Sequence, residues 1–534
     1  MRTKAAMPAA LRIFLLTSLG ALAAFEPQAC CAMGVTLITH GYAGNVDGWV
    51  TGMADRVPAY QRFPGTNSTC YTIEITSSGG NYYFTTTRVG GDAPASTGSG
   101  EIIVKLDWST LAGGLFPDST YDVGWATSLA LQQTNLIAEL GGHALTEFPL
   151  HLIGHSRGGS LMSELSRDLG TNGLWVDHLT TLDPHPLNND GFSDLPFTVD
   201  APVRTYINVL FHDNYWQNLG GTLLVPNGEP VFGAYARQLY TLSGGYSSSH
   251  SDVHLWYHGT IDWATPTTDT EASLTSAERT NWWTAYENAG VVAGFDYSLI
   301  GGGDRLSADQ PLGQGFGTIR DGYNQWWDLG AGISSNRTAL PSISGNWPNL
   351  IRFNRIETKQ VAQSQSTPVR FYYQWARPET NLATVSFYLD DDPNPLNGND
   401  TLLKQVTVPA TGASNVSYQT VSLTLEATNA TLGIHTLYAK IAGGSRTRYL
   451  CAPELVEVIS SREPPSLDIA AIGEMVFAIG VNGAAGQAIV LELSSDIETW
   501  LPLATNTLAT DRWVYTNSPP AATSQQFYRA VLAQ

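Results

Sequence analysis

Cysteine is scarce in this sequence, with four residues in a chain of 534. They stand at Cys30, Cys31, Cys70 and Cys451. This number is too small for a disulfide scaffold, and the spacing lacks the close pairs of a cysteine zinc site. We therefore predict no catalytic cysteine. One disulfide to Cys70 stays open if Cys30 or Cys31 remains in the mature protein.

Basic residues are also few. Lys and Arg total 27 against 47 Asp and Glu, which gives a formal net charge of -20 at pH 7. This excess of negative charge repels the phosphates of nucleic acids and the headgroups of anionic membranes. We predict no nucleic-acid partner, whereas neutral and cationic partners stay open.

Long apolar runs are missing, because no segment approaches the roughly 18 apolar residues of a membrane-spanning helix. The N-terminus combines Arg2 and Lys4 with an apolar run over 11–25 that contains the mostly small residues 21–24. This pattern is typical of a secretory signal peptide. We predict a signal peptide over residues 1–32 and a protein that is secreted or held at the cell surface.

Residues 33–346 are predicted to form one α/β domain. Short apolar segments alternate there with helical patterns, which is typical of an open, mostly parallel sheet. The strand candidates are 35–39, 102–107, 150–153, 179–182 and 206–211. A helical pattern over 129–140 stops at Gly141 and Gly142, which suit a C-terminal cap.

The rest of the chain is predicted to be β-rich. Apolar and polar residues alternate over 385–389, and residues 347–461 are predicted to form an immunoglobulin-like β-sandwich. A linker over 460–465 precedes a small C-terminal β domain at 466–534. The stretches "LELSSDIETWLPLAT" and "FYRA" of this last domain resemble a C-terminal β module of exported proteins from some environmental bacteria. The resemblance implies a surface or secreted location.

The stretch "HLIGHSRGGS", residues 151–160, places Ser156 in a GxSxG pentapeptide. An apolar strand candidate precedes the serine, and Gly158, Gly159 and a helical pattern up to Gly170 follow it. A nucleophile elbow requires this order of strand, tight turn and helix, because the glycines allow the backbone to turn sharply. We predict that Ser156 is a catalytic nucleophile rather than an ordinary turn serine.

An ester hydrolase that uses a serine also needs two N–H donors for the oxyanion of the intermediate. The residue after the nucleophile commonly supplies one of them, and here that residue is Arg157. The second comes from a loop after an early strand, a place that His40, Gly41 and Tyr42 occupy. Gly41 would allow the backbone of this loop to approach the serine closely.

Three segments in this order, "THGY", "GHSRGG" and "TLDPHP", resemble the α/β-hydrolase lipases, in particular the group with pancreatic and lipoprotein lipases. The similarity covers residues 35–261, and "KLDWST" adds to it. It implies that the backbone amides of Tyr42 and Arg157 form the oxyanion hole. Arg157 departs from the family, where leucine is common, and the family's dense disulfides and recognisable lid are missing.

Two aspartates are candidates for the acid of a catalytic triad. Asp183 ends the strand candidate 179–182, stands before Pro184, and resembles the acid in the Leu-Asp-Pro motif of the lipases. Asp213, in "FHDNYWQ", follows the next strand candidate, where many other α/β-hydrolases place their acid. We predict Asp183 and keep Asp213 as the alternative.

The segment "SSSHSDVHLWYHGTI" offers the histidine base. Ser251 or Asp252 suits the N-cap of a helix, which would leave His250 on the loop just before that helix. The lipase resemblance also selects His250, which precedes an aromatic pair by several residues. We predict His250 and keep His254, one helical turn later, as the alternative.

Together these patterns predict a secreted serine ester hydrolase of lipase type. Its substrate would be an acyl ester or lipid, and no metal or organic cofactor is implied. One alternative is a carboxylesterase or deacetylase that acts on esters carried by a polymer, with the C-terminal β domains attaching the enzyme to a surface or polymer. Another is a binding or adhesion protein whose hydrolase domain is inactive.

Overall fold

The computed structural model of the chain describes residues 12–15, 34–59, 68–96, 100–191, 196–219, 227–261, 268–269, 271–289, 294–298, 337–353, 360–376, 378, 381–412, 416–426, 429–452, 455–460, 464–473, 475–520 and 525–533. Except for a short strand at 12–15, the predicted signal peptide lies outside these residues. Cys30 and Cys31 also lie outside them, whereas Cys70 and Cys451 are buried. Within the described part of the chain, no helix has both the length and the apolarity to cross a membrane.

The first half of the chain alternates strands with helices. Its elements are β1 (Arg12–Leu15), β2 (Val35–Thr39), α1 (Trp49–Arg56), β3 (Thr69–Ser78), β4 (Asn81–Gly90), β5 (Ile102–Asp107), α2 (Ser109–Ala112), α3 (Thr120–Leu131), β6 (Leu150–His155), α4 (Arg157–Thr171), β7 (Val176–Leu182), β8 (Val209–Gln217), β9 (Tyr235–Leu239), α5 (Ser249–Gly259) and α6 (Ser276–Ala289). Short 3₁₀ helices lie at Val57–Ala59, Pro94–Ser96, Ala138–Leu140, Leu145–Glu147 and Gly294–Tyr297.

Eight of these strands form one sheet in the order β4-β3-β5-β2-β6-β7-β8-β9. All neighbours are parallel except β3 and β4, which pair antiparallel. Every residue of the central strands β2, β6 and β7 is buried, as expected for parallel strands that are covered on both faces. The prediction of a mostly parallel α/β sheet is confirmed.

Two local predictions in this region are wrong. The helix predicted over 129–140 ends at Leu131, and turns and a 3₁₀ helix follow, with Gly141 in the left-handed region at φ 63°. The apolar Ile137 and Leu140 that suggested a helix do pack into the core, but they do so from this irregular segment. The strand predicted at 206–211 is Val209–Gln217, which changes the position of Asp213.

The second half of the chain contains several smaller β-sheets. Its strands are β10 (Asn349–Phe353), β11 (Gln360–Ala362), β12 (Ser366–Gln374), β13 (Leu382–Asp390), β14 (Thr401–Pro409), β15 (Ser417–Thr424), β16 (Gly433–Gly443), β17 (Arg446–Cys451), β18 (Val456–Ile459), β19 (Ser466–Gly473), β20 (Val476–Asn482), β21 (Ala488–Ser494), β22 (Leu501–Thr507), β23 (Arg512–Asn517) and β24 (Gln525–Leu532). Strand pairs are antiparallel except β11 with β18 and β1 with β24. The prediction that this half is β-rich is confirmed.

Two separate apolar clusters fill these sheets. The strands from β10 to β18 form two sheets, β10-β12-β15 and β11-β18-β16-β13-β14 with β17 on β16, around one buried cluster. The strands from β19 to β24 enclose a second cluster with its own buried residues, including Ile479, Leu491 and Tyr528. The domain boundaries at 33–346, 347–461 and 466–534 remain predictions.

The β10–β18 region packs against the amino end of β7. Arg448 is fully buried there and donates one hydrogen bond to the Asp177 carboxylate at 2.5 Å and another to the Trp175 carbonyl at 2.7 Å. Tyr449 stacks on Phe148, with ring centroids 5.4 Å apart. The contact therefore lies at the end of β7 opposite to the end that Asp183 follows.

A buried carboxyl group makes the stability of this fold depend on pH. Glu101 lies just before β5, and its Oε1 accepts a hydrogen bond from Thr36 Oγ1 at 2.6 Å. Burial raises the pKa of the Glu101 carboxyl to about 8. An unfolded glutamate has a pKa of about 4.3, so the folded protein binds more protons than the unfolded chain between these two values. The stabilisation is complete below the unfolded pKa and is lost as pH rises towards 8.

Glu101→Gln is expected to remove this dependence, because an amide stays neutral at every pH of interest. Compared with the natural protein, the variant should gain on the order of a few kcal/mol in unfolding free energy between pH 5 and pH 9. Thermal unfolding at both pH values measures the difference. The exposed Glu229→Gln is the matched control. Parallel melting curves for Glu101→Gln and the natural protein would contradict the assignment.

Candidate active site

Ser156 occupies a sharp turn between β6 and α4. Its backbone has φ 56° and ψ -127°, a conformation that residues with a side chain rarely adopt. The neighbouring glycines make the turn possible: a Cβ on Gly154 would lie 2.2 Å from the Gly158 carbonyl oxygen, and one on Gly158 would lie 2.5 Å from that of His40. The strand, strained turn and helix have the geometry of a nucleophile elbow.

The strand register brings Ser156 and Asp183 to the same edge of the sheet. His155 pairs with Leu182 across β6 and β7, so the residue after each strand end lies at the carboxyl edge. The Ser156 N–H donates to the Leu182 carbonyl at 2.9 Å. Residues at this edge of a parallel sheet commonly form ligand and catalytic sites.

The loop of Gly41 and Tyr42 lies directly against the serine. A Cβ on Gly41 would be 2.6 Å from Ser156 Cβ and 3.1 Å from its Oγ, so only glycine fits here. The Trp108 indole donates to the His40 carbonyl at 3.1 Å and holds the start of the loop. The close backbone approach expected at Gly41 is present.

The side chain of Arg157 is fully buried in an ion pair with Asp200. Its Nε and Nη2 each donate to one Asp200 carboxylate oxygen at 2.7 Å, and its Nη1 donates to the Ala112 carbonyl at 3.1 Å. A further hydrogen bond from Nη2 reaches the Asp118 carbonyl. The first residue of α4, whose N–H is one of the two predicted oxyanion donors, is therefore fixed by a bidentate ion pair.

Sequence reasoning did not find Asp200. It lies outside any helix or strand, belongs to no recognisable motif, and is 43 positions from Arg157. The one available signal was Arg157 itself, because a guanidinium in a helix that begins at a buried elbow requires an anionic partner. Asp200 also accepts hydrogen bonds from the backbone N–H groups of Thr120 and Leu187, both at 3.0 Å.

His250 and Asp183 form a hydrogen-bonded pair. His250 Nδ1 lies 2.7 Å from Asp183 Oδ2, and the aspartate is completely buried while the imidazole is partly exposed. The backbone N–H and the side-chain amide of Gln217 also donate to the carboxylate, each at 3.1 Å. Three hydrogen bonds to one carboxylate fix its orientation beside the imidazole.

The predicted boundary of the helix that carries His250 is wrong by a few residues. Helix α5 begins at Ser249 with Ser248 as its N-cap, so His250 lies in the first helical turn rather than before the helix. Its backbone carbonyl accepts a hydrogen bond from His155 Nε2 at 2.9 Å. This contact ties α5 to the residue that precedes the serine.

Asp213, the alternative acid, lies within β8 and not in the loop after it. Its Oδ1 lies 2.8 Å from His178 Nε2 and accepts a hydrogen bond from Thr180 Oγ1 at 2.6 Å. Burial raises the pKa of the Asp213 carboxyl to about 7. The structure therefore places Asp213 in a different buried histidine pair and does not bring it to His250.

His254, the alternative base, has aromatic surroundings. Its ring stacks on Trp49 at a centroid distance of 4.4 Å and contacts the edges of His155 and Tyr246 at 4.7 and 4.9 Å. Burial, together with the neighbouring charge of His250, lowers the pKa of His254 well below its ordinary value. A neutral histidine buried among rings serves packing.

The site therefore combines a serine on a strained turn, a histidine–carboxylate pair and a close backbone loop at one edge of the sheet. Such a set can activate a hydroxyl group for attack on a carbonyl carbon, with a histidine as proton acceptor. Two histidines and one carboxylate can also act as metal ligands here, since atoms of Asp183, His185 and His250 lie within 4.8 Å of one another.

Comparisons with known proteins add only weak likenesses to small parts of the chain. No protein-family model matches, and no curated protein matches. Solved structures that match include the C-terminal domain of Wzt (TM-score 0.17, 9% identity, 22% of this chain and 75% of that one). A CARDB domain from Pyrococcus furiosus, in complex with di-metal ions, has a TM-score of 0.15 at 13% identity over 22% of this chain and 99% of that one. A superoxide reductase from Ignicoccus hospitalis has a TM-score of 0.13 at 14% identity, over 21% of this chain and 80% of that one. At these TM-scores the matches carry no argument about fold or function.

Proposed function

We propose that this protein is a secreted serine ester hydrolase of lipase type with an α/β-hydrolase domain. The observation that carries the proposal is the strained serine turn beside a histidine–aspartate pair at the carboxyl edge of the sheet. Ser156 is the nucleophile, His250 the base and Asp183 the acid that orients it. The strand order and the elbow after the fifth strand in the sheet support the hydrolase fold.

The proposed reaction has two halves. His250 Nε2 takes the proton of the Ser156 hydroxyl as Oγ bonds to the ester carbonyl carbon. Asp183 accepts a hydrogen bond from the Nδ1–H group and stabilises the imidazolium without taking its proton. The tetrahedral intermediate expels the alcohol, which takes that proton, and leaves an acyl-enzyme. Water then attacks the acyl carbon with His250 as base, and the acid leaves as Ser156 regains its proton.

Backbone N–H groups of Tyr42 and Arg157 are the proposed donors to the oxyanion. These donors stabilise the oxyanion well only if they are fixed in place before the reaction, since preorganised donors need no rearrangement as charge develops. The buried Arg157–Asp200 ion pair supports this role, because it fixes the first turn of α4 from outside the reaction centre.

Exposed aromatic residues beside the oxyanion loop support an apolar substrate. Tyr42 donates from its hydroxyl to the Gly114 carbonyl at 2.7 Å, which joins the loop to the segment that carries Phe116. Phe116 and Phe197 stack at 5.8 Å and are 77% and 75% exposed. Large apolar side chains clustered on a surface commonly mark binding sites.

Turnover of p-nitrophenyl esters from acetate to palmitate tests the proposal and its chain-length preference. We expect hydrolysis with a preference for longer chains, and covalent labelling of Ser156 by a fluorophosphonate probe, identified by peptide mass spectrometry. A preference for acetate would favour the alternative carboxylesterase or deacetylase on polymer-borne esters, attached through the C-terminal β domains. Folded protein that neither labels nor hydrolyses any ester would favour the inactive adhesion protein.

A further inference from the structure

His185 stands beside the histidine–aspartate pair and has no part in the proposed reaction. Its ring centroid lies 5.2 Å from that of His250, and both side chains are partly exposed. Potential ligand atoms of Asp183, His185 and His250 all lie within 4.8 Å of one another. The chain thus brings two imidazoles and a carboxylate together at one partly solvent-accessible position.

Asp190 orients His185 for ligand binding. The Nδ1 of His185 lies 2.9 Å from Asp190 Oδ2, and a carboxylate at this distance accepts a hydrogen bond from the Nδ1–H group. The proton on Nδ1 leaves the lone pair of the neutral ring on Nε2. Histidine ligands of metal ions commonly have this arrangement, in which an outer carboxylate fixes the tautomer and makes the other nitrogen more basic.

The ligand set suits Zn²⁺ better than it suits Mg²⁺ or Ca²⁺. Two imidazole nitrogens, one carboxylate oxygen and a solvent position make a four-coordinate site of the kind Zn²⁺ adopts, whereas Mg²⁺ and Ca²⁺ prefer oxygen ligands. Ligands about 2.1 Å from a tetrahedral ion lie roughly 3.4 Å apart. The observed spread of up to 4.8 Å thus requires small side-chain rotations of the partly exposed histidines.

We propose that Zn²⁺ binds to Asp183, His185 and His250 and inhibits the protein reversibly. The inhibition rests on the proposed function, whereas the binding does not. A neutral imidazole has one lone pair, so a zinc-bound His250 cannot accept the proton of Ser156. Zinc is here an inhibitor that competes with the reaction, not a cofactor of it.

Binding is tested first, on Ser156→Ala protein by calorimetric titration with ZnCl₂. We expect one ion per chain, no comparable binding of Mg²⁺ or Ca²⁺, and an affinity at least about tenfold lower in Ser156→Ala/His185→Gln and Ser156→Ala/Asp190→Asn proteins. The matched control is Ser156→Ala/His143→Gln, because His143 forms another partly exposed pair with a carboxylate, Glu147, at 2.7 Å. Absence of binding, or equal affinity in the His185→Gln protein, overturns the site.

Inhibition is tested on the natural protein, with each variant compared with its own metal-free turnover. Zn²⁺ should abolish ester hydrolysis, EDTA should restore it, and the midpoint should rise at least about tenfold in His185→Gln. If the protein binds zinc at His185 but hydrolyses no ester, the proposed function fails and the metal site stands. If it hydrolyses esters equally well at a zinc concentration that saturates the site, the inhibition is overturned.

Discussion

Replacement of Ser156 with alanine is expected to lower kcat for soluble esters by at least about a thousandfold. The remaining groups can still bind an ester and stabilise an oxyanion, but no oxygen is left to form the acyl-enzyme. Initial rates on a p-nitrophenyl ester at saturating substrate measure the loss. KM should change far less than kcat, because the serine hydroxyl forms its bond to substrate only as the reaction proceeds.

Ser163→Ala is the matched control for this experiment. Ser163 lies on the same helix α4, about two helical turns after Ser156, and donates its hydroxyl hydrogen to the Arg204 carbonyl at 2.9 Å. Its turnover should stay within a few fold of the natural protein. Near-normal turnover by folded Ser156→Ala protein would remove the basis of the hydrolase mechanism.

His250→Ala is expected to abolish turnover almost as completely, whereas His254→Ala should change it less than about tenfold. The members of a triad act as a unit, so loss of the base removes most of the benefit of the nucleophile. His250 holds the contact to the Asp183 carboxylate, and His254 is packed among aromatic rings. Ester turnover of both purified variants measures the difference.

The contrast between the two histidines needs a check on folding, since His254 is the more buried residue. Circular dichroism and thermal unfolding of each variant supply it. His254→Ala is expected to lose more stability than His250→Ala, because removal of the His254 ring leaves a cavity beside Trp49. The variant that loses more stability should thus be the one that loses less turnover. If folded His254→Ala protein were the inactive one, the base would be His254.

The local parts of the candidate site could be predicted because each depends on only a few adjacent residues. Glycines around Ser156 indicate a sharp turn between a strand and a helix, and Gly41 indicates a close backbone approach. Both features are present in the structure. The alternating apolar segments likewise predicted a parallel sheet, since fully buried strands leave a continuous apolar signature.

Strand boundaries were harder to predict. They matter for the choice of the acid, because the end of β8 determines whether Asp213 lies in a strand or in a loop. The apolar pattern predicts a strand at 206–211, which would place Asp213 in the loop after it. The strand in fact extends to Gln217, because polar side chains such as Asn214 are accommodated by hydrogen bonds to the neighbouring strand. A buried polar strand has no apolar signature, so its end cannot be read from hydrophobicity.

Pairs formed over long sequence distances carry no local signal. Arg157 pairs with Asp200, which lies 43 positions away, and His185 lies beside His250, which lies 65 positions away. Nothing in the spacing of these residues predicts their contacts. The one signal is a charged residue at a position predicted to be buried. It indicates that a partner of opposite charge exists but does not identify that partner.

The buried Arg448–Asp177 ion pair bears on how such a chain can be reassembled in evolution. A recombination that removed or exchanged the β10–β18 region would take away the guanidinium that neutralises a buried carboxylate, and the new neighbour would have to supply another. The last region keeps its own apolar cluster, so it can be swapped between proteins with little cost to the rest. We therefore expect the β10–β18 region to change together with the α/β sheet during evolution and the last region to be exchangeable as a unit.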